Sequence, residues 1–265
     1  MSRRLALITG ASSGIGAAFA RLYASHGYDL AITARRADRL AHLADEVRLR
    51  HGVEILTVPA DLADAGAPDA ILNEITAHGR VVDALVNNAG YGAPGPYAAT
   101  RWEDQRAFLQ VMLMAVCELT HKALPGMVER RFGRVVNVAS LAGLVPGGAG
   151  TALYGAVKTF LISFSQALHA ETRSCGVHVS ALCPGFTYSE FHDVNNTREL
   201  TDRAPPWLWL GADEVAAAGY EAAEANRPIC VPGAPNKAIA AVAKLLPDEW
   251  CMALMARGPA SRRQL

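Results

Sequence analysis

The chain has 265 residues, of which 51% are hydrophobic and 19% are charged. This composition provides enough apolar side chains for a sheet covered by helices on both faces, and it excludes a largely disordered protein. The 25 basic and 25 acidic residues cancel, so the chain lacks the positive excess typical of proteins that bind nucleic acid or anionic membranes, and a small-molecule partner is expected.

Apolar runs of strand length alternate with amphipathic segments of helical length along the whole chain. This alternation predicts an α/β fold with a doubly wound parallel sheet and helices on both faces, and we expect one domain over residues 1–265. The loops that follow the strands are expected to line one crevice. The predicted strands are Leu5–Ile8, Leu30–Thr33, Ile55–Val58, Ala84–Val86, Arg134–Ala139, His178–Leu182 and Ile229–Val231.

A glycine-rich turn joins the first predicted strand to the first predicted helix. Glycine permits positive φ and close backbone approach, and the N–H groups at a helix start attract a pyrophosphate. The spacing is G-x-x-x-G-x-G, which differs from the general G-x-G-x-x-G fingerprint, so a plain turn without a ligand stays open as the alternative. The candidate binding residues are Gly10, Ser12, Ser13, Gly14, Ile15 and Gly16.

The second predicted strand is followed by Arg35 and Arg36, where an NAD site usually has an acidic side chain for the ribose hydroxyls. That acid is absent. A guanidinium can bind a 2′-phosphate through two charge-assisted hydrogen bonds, whereas an aspartate repels it. The sequence therefore favours NADP over NAD, with a solvated helix start as the alternative interpretation of the two arginines.

Two shorter motifs follow the third and fourth predicted strands. Asp61-Leu62 could accept a hydrogen bond from an adenine amino group, although an aspartate here is equally typical of a helix cap. Asn87-Asn88-Ala89-Gly90 forms a small-residue bend that lets the backbone approach a ligand, and a plain turn uses the same residue types. Both motifs are candidate cofactor contacts.

The strongest catalytic signal is Ser140 at the end of the fifth predicted strand, with Tyr154 and Lys158 on the helix that follows. The four-residue spacing puts Tyr154 and Lys158 on one helix face. A free phenol has a pKa of about 10, and a nearby ammonium lowers it by favouring the phenolate. The pair therefore predicts an acid/base catalyst, and Ser140 is suited to hydrogen-bond a substrate carbonyl oxygen.

In this order, the motifs make the chain resemble the short-chain dehydrogenase/reductase family. The resemblance extends from the first strand to about Phe191 and is weaker beyond it. It rests on Thr9-Gly10-x-x-x-Gly14-x-Gly16, Asn87-Asn88-Ala89-Gly90, Ser140, Tyr154-x-x-x-Lys158 and Pro184-Gly185.

The resemblance implies a Rossmann-type domain that binds NADP(H) and interconverts a secondary alcohol with a ketone or an aldehyde. Tyr154 is then the acid/base, Lys158 lowers its pKa and grips the nicotinamide ribose, and Ser140 polarises the carbonyl. Arg35 occupies the position where NADP-preferring members carry a basic residue. The remaining implied cofactor contacts, along the nicotinamide and the diphosphate, are Pro184, Gly185 and Thr187.

One departure from the family pattern concerns Met112, which stands where the resemblance implies an asparagine that holds a water in the proton relay. A thioether cannot hold that water. Replacing Met112 with asparagine is therefore expected to raise kcat, unless Met112 simply packs between helices. The departure also leaves a second function open, an NADP(H)-binding sensor or scaffold with weak or lost turnover.

Other expectations concern the ends of the chain, its assembly and its location. A variable substrate lid is expected at 188–210, with Trp207 and Trp209 interpreted as core residues, and a helical extension at 234–265. Helices with apolar residues on more than one face predict a homodimer or homotetramer. The five cysteines lack a C-x-x-C pair and the histidines lack ligand spacing, so we expect a cytoplasmic protein without disulfides, a metal site, a signal peptide or a membrane-spanning segment.

Overall fold

The structure of the chain is a computed structural model that describes residues 3–92, 95–191 and 204–256, with side chains as far as residue 253. Strands and helices alternate over these residues, and the π-helical segment Gln110–Met114 joins α4 to α5. The strands are β1 (Leu5–Thr9), β2 (Asp29–Ala34), β3 (Ile55–Pro59), β4 (Ala84–Asn87), β5 (Gly133–Val138), β6 (Val177–Leu182), β7 (Thr187–Tyr188), β8 (Leu210–Gly211) and β9 (Ile229–Cys230). The α-helices are α1 (Gly14–Ser25), α2 (Ala37–His51), α3 (Ala67–Ala77), α4 (Trp102–Leu109), α5 (Ala115–Glu129), α6 (Ala152–Thr172), α7 (Ala212–Glu224), α8 (Ala234–Leu245) and α9 (Asp248–Ala256).

Seven of the strands form one parallel sheet in the order β3-β2-β1-β4-β5-β6-β9. β1 pairs with β2 on one side and with β4 on the other, so that Ile8 lies opposite both Ile32 and Val86. The chain therefore crosses the sheet in one direction from β1 and later returns to the other side of the same strand. Such a reversal opens a crevice at the carboxyl ends of β1 and β4, where sheets of this class bind ligands.

Helices cover both faces of the sheet because its strands are apolar on both faces. One core lies between the sheet and α1, α2 and α7, and includes Phe19, Leu40 and Val215. The other lies beneath α3, α5 and α6, and includes Ile71 and Leu119. Each of these side chains is almost fully buried, which contributes roughly 1.5–3 kcal/mol per residue. The two cores thus fix the sheet whose carboxyl edge carries the site.

The doubly wound parallel sheet is confirmed, and each of its seven strands lies within one residue of the predicted bounds. The sequence did not predict the second, two-stranded sheet, in which β7 pairs with β8 and Thr187 lies opposite Leu210. Within the predicted lid, 192–203 lie outside the described residues. So do 257–265 of the predicted C-terminal extension, whose earlier part forms α8 and α9.

The helix from Trp102 to Glu129 is continuous over 28 residues. By length and composition alone it could cross a membrane, although no membrane-spanning segment was expected from the sequence. Its apolar side chains include Val111, Val116 and Leu119, which are buried in the second core. A core helix of a globular fold passes the same test, and packing in the second core accounts for these buried apolar positions.

Candidate active site

The glycine turn between β1 and α1 is a cradle with no room for side chains. Gly10 and Gly14 have φ of 66° and 54°, in the left-handed region that favours glycine. A Cβ on Gly16 would lie 2.3 Å from the Gly10 carbonyl oxygen and 2.5 Å from Asn88 Nδ2. The backbone therefore requires these glycines, and the start of α1 offers N–H groups to an anion at that point.

Thr9 and Asn88 tie the cradle to the end of β4. Thr9 Oγ1 accepts the N–H groups of Asn88 and Ala89, both at 3.0 Å. Asn88 Nδ2 donates to the carbonyl oxygens of Thr9 and Gly10 at 2.9 and 3.2 Å. The Asn88 side chain, a predicted cofactor contact, therefore supports the turn. The sequence did not predict this use of Thr9, although Thr9 belongs to the motif on which the family resemblance rests.

The two candidate arginines diverge in the structure. Arg36 Nη2 donates to Ser12 Oγ at 2.9 Å and to Ser13 Oγ at 3.1 Å, so its guanidinium borders the cradle. Arg35 is exposed, and its charge acts on Tyr91, where it opposes the rise in phenol pKa that burial causes. Of the pair, Arg36 thus has the direct contact with the glycine turn.

The contacts of Asp61 and Leu62 are structural. Asp61 Oδ1 accepts the N–H of Ala63 at 3.0 Å and organises a turn. It is not the helix cap, because α3 begins at Ala67 after Gly66. Leu62 is 7% exposed and packs in the second core. An adenine contact at this motif stays a prediction.

Ser140 is held against α6 by close backbone packing. Ser140 lies two residues beyond β5 and caps a short 3₁₀ turn with its hydroxyl oxygen. Within that turn, a Cβ on Gly143 would lie 2.6 Å from the carbonyl carbon of Lys158. Thr159 Oγ1 donates to the Gly143 carbonyl oxygen at 3.1 Å. Gly143 and Thr159, which the sequence did not single out, therefore position Ser140 beside the helix of the predicted catalytic pair.

The catalytic pair lies on one side of α6, as the spacing predicts. Lys158 Nζ is 5.6 Å from the centroid of the Tyr154 ring and donates to the Val138 carbonyl oxygen at 2.7 Å. Lys158 is only 6% exposed. Burial lowers the pKa of its ammonium to about 8, while Cys183 acts in the opposite direction. The structure thus brings Ser140, Tyr154 and Lys158 together.

The predicted direction of the Tyr154 pKa is wrong. Burial raises the pKa of the phenol, and the hydrogen bond between the Ser140 and Tyr154 side chains lowers it by less. The expectation was a pKa lowered by Lys158. Loss of hydration disfavours the phenolate more than its neighbours favour it, and the ammonium points to the Val138 carbonyl oxygen. The Tyr154 phenol is therefore protonated at neutral pH.

A buried chain of hydrogen bonds fixes the ends of β4 and β5 against the helices. Asn87 Nδ2 donates to Thr120 Oγ1 at 3.0 Å and to Asn137 Oδ1 at 2.8 Å. Asn137 Nδ2 donates to Ser165 Oγ on α6 at 2.9 Å. All four side chains are buried. Of these four residues, the sequence indicated Asn87 alone, because polar residues far apart in the chain give no signal that they meet.

The motif after β6 lies between the Ser140 turn and α8. The Pro184 carbonyl oxygen accepts the N–H of Leu141 in that turn at 2.8 Å. A Cβ on Gly185 would lie 2.5 Å from Oδ1 of the buried Asn236, so glycine permits this packing. Thr187 is buried and its Oγ1 donates to the Gly185 carbonyl oxygen at 3.2 Å. Pro184, Gly185 and Thr187 therefore lie at the same edge of the sheet as Ser140, and Asn236 was missed.

An aromatic stack links β7 to the segment before β8. Trp209 is 9% exposed, and its ring centroid lies 5.3 Å from Phe186 and 4.9 Å from Tyr188. Trp207 is 62% exposed. The interpretation of the two tryptophans as core residues is confirmed for Trp209 and wrong for Trp207.

A family model described as short chain dehydrogenase matches residues 4–200. Sulfoacetaldehyde reductase 2 from Chromohalobacter salexigens is 36% identical over 189 residues, which cover 71% of this chain and 74% of that protein. This chain belongs to the short-chain dehydrogenase family. The family predicted from the motifs is thereby confirmed.

Two solved structures share most of the fold. The short-chain dehydrogenase from Sphingobium yanoikuyae in complex with NADPH has a TM-score of 0.80 at 29% identity and covers 96% of each chain. The L-sorbose reductase from Gluconobacter frateurii, complexed with NADPH and L-sorbose, has a TM-score of 0.74 at 26% identity. That match covers 88% of this chain and 97% of the reductase.

In this short-chain dehydrogenase, Met112 is packed rather than open to solvent. It lies in the π-helical segment and is 1% exposed. A Cβ on Gly90 would come within 2.7 Å of the Met112 sulfur, so the thioether fills the space beside the bend after β4. This contact favours the packing alternative for Met112.

Proposed function

We propose that this short-chain dehydrogenase is an NADP(H)-dependent oxidoreductase that interconverts a secondary alcohol with a ketone or an aldehyde. The observation that carries the proposal is the meeting of Ser140, Tyr154 and Lys158 at the carboxyl ends of the strands, where the glycine cradle also lies. A protein that only senses or scaffolds has no use for all three side chains, so the geometry favours turnover over the sensor alternative.

The cofactor assignment is supported by the fit of the cradle to a dinucleotide. The start of α1 offers backbone N–H groups to a pyrophosphate, and the Arg36 guanidinium, which borders Ser12 and Ser13, can bind a 2′-phosphate. Two similar solved structures contain NADPH. When bound, the nicotinamide supplies or accepts a hydride at the carbon of the substrate carbonyl.

The chain's own residues handle the oxygen of that carbonyl. The Ser140 hydroxyl donates a hydrogen bond to the carbonyl oxygen and holds it near the phenol. Because burial raises the pKa of Tyr154, the phenol keeps its proton at neutral pH and donates it to the oxygen during reduction. The Lys158 ammonium then stabilises the phenolate that is left. At neutral pH the phenol is thus in the protonated form that carbonyl reduction requires.

The substrate proposed here is uncharged and partly apolar. Among the described residues on either side of the phenol, 140–154 contain no charged side chain and 184–191 contain only Glu190. That carboxylate is paired with Arg36, which borders the glycine turn. The Phe191 ring centroid lies 6.1 Å from that of Tyr154, which provides an apolar wall beside the phenol. A neutral ketone or aldehyde with an apolar substituent fits these surroundings.

Two features support the remaining parts of the proposal. All five cysteines fall within the described residues and none forms a disulfide, in keeping with a reducing, cytoplasmic location. Aromatic residues on the outer side of α6 support assembly with further copies of the chain.

Replacement of Tyr154 with phenylalanine tests the proposed chemistry. Tyr154→Phe should lower kcat for carbonyl reduction by roughly 10²–10⁴-fold, because the proton donor is lost while the ring remains. NADPH affinity, measured by nicotinamide fluorescence, should stay nearly unchanged. Tyr220→Phe is the matched control, since Tyr220 lies on α7 against Tyr23 and His26.

The assay uses NADPH oxidation with a panel of neutral aliphatic and aromatic ketones and aldehydes, together with anionic carbonyl compounds. Substantial turnover by Tyr154→Phe would remove Tyr154 from its role. Tight NADPH binding by the unmodified protein without turnover of any compound would instead support a sensor. A preference for the anionic compounds would contradict the substrate class.

A further inference from the structure

Glu190 lies between two arginines at the edge of the glycine cradle. Its carboxylate accepts hydrogen bonds from Arg36 Nη1, at 2.9 Å, and from Arg39 Nη1. Arg36 precedes the first residue of α2 and Arg39 lies in its first turn, whereas Glu190 follows β7. We name these three side chains the Glu190 bridge.

The bridge and its neighbouring residue contact the cradle at two points. Arg36 Nη2 donates to Ser12 Oγ and Ser13 Oγ, so one guanidinium contacts the glycine turn and the carboxylate together. The neighbour of Glu190, Ser189, lies over the start of α1, where a Cβ on Gly14 would come within 2.9 Å of the Ser189 Cβ. The carboxylate is therefore held at the rim of the proposed dinucleotide site.

In the bridge, the negative carboxylate of Glu190 lies between two guanidiniums, as a bound phosphate would. Each of the two guanidiniums donates one hydrogen bond to a different oxygen of the carboxylate, and both could donate to phosphate oxygens instead. Hydrogen bonds from Arg39 and Arg36 lower the pKa of the Glu190 carboxyl, so it is charged at neutral pH. The three side chains are 38–44% exposed, and ion pairs of that exposure contribute little to stability. A more highly charged anion can therefore displace the carboxylate.

We propose that Glu190 is a specificity-determining residue for the cofactor, an internal anion that competes with the 2′-phosphate of NADP(H) for Arg36 and Arg39. The inference rests on the proposed NADP(H) dependence. NAD(H) has no 2′-phosphate and leaves the bridge intact. Glu190 thus limits the affinity for NADP(H) and reduces the discrimination between the two cofactors.

The full-length Glu190→Gln protein tests the proposal, because glutamine keeps the shape of the side chain and removes its charge. Nicotinamide fluorescence gives Kd for NADPH and NADH, and calorimetry gives Kd for 2′,5′-ADP and 5′-ADP. We expect Kd for NADPH and 2′,5′-ADP to fall about 3- to 10-fold, and Kd for NADH and 5′-ADP to change by less than about twofold. The gain should shrink at high salt, since it arises from exposed charges.

The matched control is Glu46→Gln, which removes the carboxylate of another arginine pair, that of Arg21 with Glu46 between α1 and α2. It should leave all four Kd values unchanged. A second variant, Arg39→Gln, should raise Kd for NADPH and 2′,5′-ADP without affecting NADH. Thermal midpoints of all variants establish that each one is folded.

Two results would overturn the proposal. One is an unchanged or weaker affinity of Glu190→Gln for NADPH and 2′,5′-ADP, and the other is an equal gain for NADH. Failure of the unmodified protein to bind NADPH would refute the proposed function itself. If NADPH binds well and Glu190→Gln changes nothing, only the competition by Glu190 is refuted.

Discussion

Among single residues, Lys158 gives the enzyme a specific pH dependence. Because its pKa is about 8, the ammonium is charged below that pH and neutral above it. We expect kcat/KM for carbonyl reduction to fall as the pH rises through about 8, since the phenolate formed on Tyr154 then loses its neighbouring positive charge. The pH profile of kcat/KM at saturating NADPH measures this descending limb.

In the described part of the site, the two titratable neighbours of Lys158 do not titrate in that range. Burial raises the pKa of the Cys183 thiol to about 12, and the pKa of the Tyr154 phenol is also raised. The control is Lys158→Arg, whose guanidinium stays charged, so the limb near pH 8 should be absent from its profile. A limb that persists at the same pH in Lys158→Arg would assign the titration to a different group.

The sequence predicted Ser140, Tyr154 and Lys158 as the catalytic residues because strand end and helix spacing define their relative positions. It did not predict which arginine borders the cradle, because Arg35 and Arg36 differ only in the direction that the chain gives each side chain at the start of α2. The sign of the Tyr154 pKa also could not be predicted, since it depends on how much water the folded site excludes.

At the scale of elements, the π-helical segment determines what a change at Met112 does. Its side chain is buried against Gly90, so an asparagine there would bury an unpaired amide at a cost of about 1–3 kcal/mol. We expect Met112→Asn to lower the thermal midpoint by several degrees and to leave kcat unchanged or lower. Scanning calorimetry and steady-state kinetics on one preparation measure both quantities.

The control for this prediction is Met112→Leu, which keeps an apolar side chain of similar volume and should lower the thermal midpoint much less. A rise in kcat for Met112→Asn, with an unchanged midpoint, would instead support the proton-relay hypothesis formed from the sequence. The two outcomes separate packing from proton delivery.

Strands with a strong local sequence pattern could be predicted, whereas strands that exist only because they pair with a distant segment could not. The seven strands of the main sheet are apolar runs, and each was found within one residue. β7 and β8 have two residues each and exist because Thr187 meets Leu210 across an interval of more than twenty residues. The π-helical segment has an ordinary helical sequence, so nothing local distinguishes it from the α-helix on either side.

For the whole molecule, the outer side of α6 and the π-helical segment predict self-association. Phe160 and Phe164 stack on α6 with ring centroids 5.6 Å apart, and Phe160 and Met114 are 38% and 51% exposed. We expect a homodimer or homotetramer, because association would remove this apolar surface from water. Light scattering at micromolar concentration measures the mass.

Phe160→Glu should shift that mass toward the monomer, since a charge would be buried in the interface. The matched control is Leu49→Glu on α2, where the side chain is 91% exposed and away from this surface. A monomeric mass for the unmodified protein would refute the assembly prediction. If Phe160→Glu leaves the mass unchanged, the interface does not include this surface of α6.

The turns at the amino ends of the strands lie on the side of the sheet opposite the site, and this position has a practical use. Gly27, Gly52 and Gly79 end α1, α2 and α3 with positive φ, are exposed, and have open space where a Cβ would be. The chain returns from these turns to the amino ends of β2, β3 and β4, across the sheet from the cradle and Tyr154. Residues beside these turns are therefore suitable attachment points for dyes, surface linkers or inserted peptide tags. An enzyme immobilised there would face its reaction crevice toward the solution.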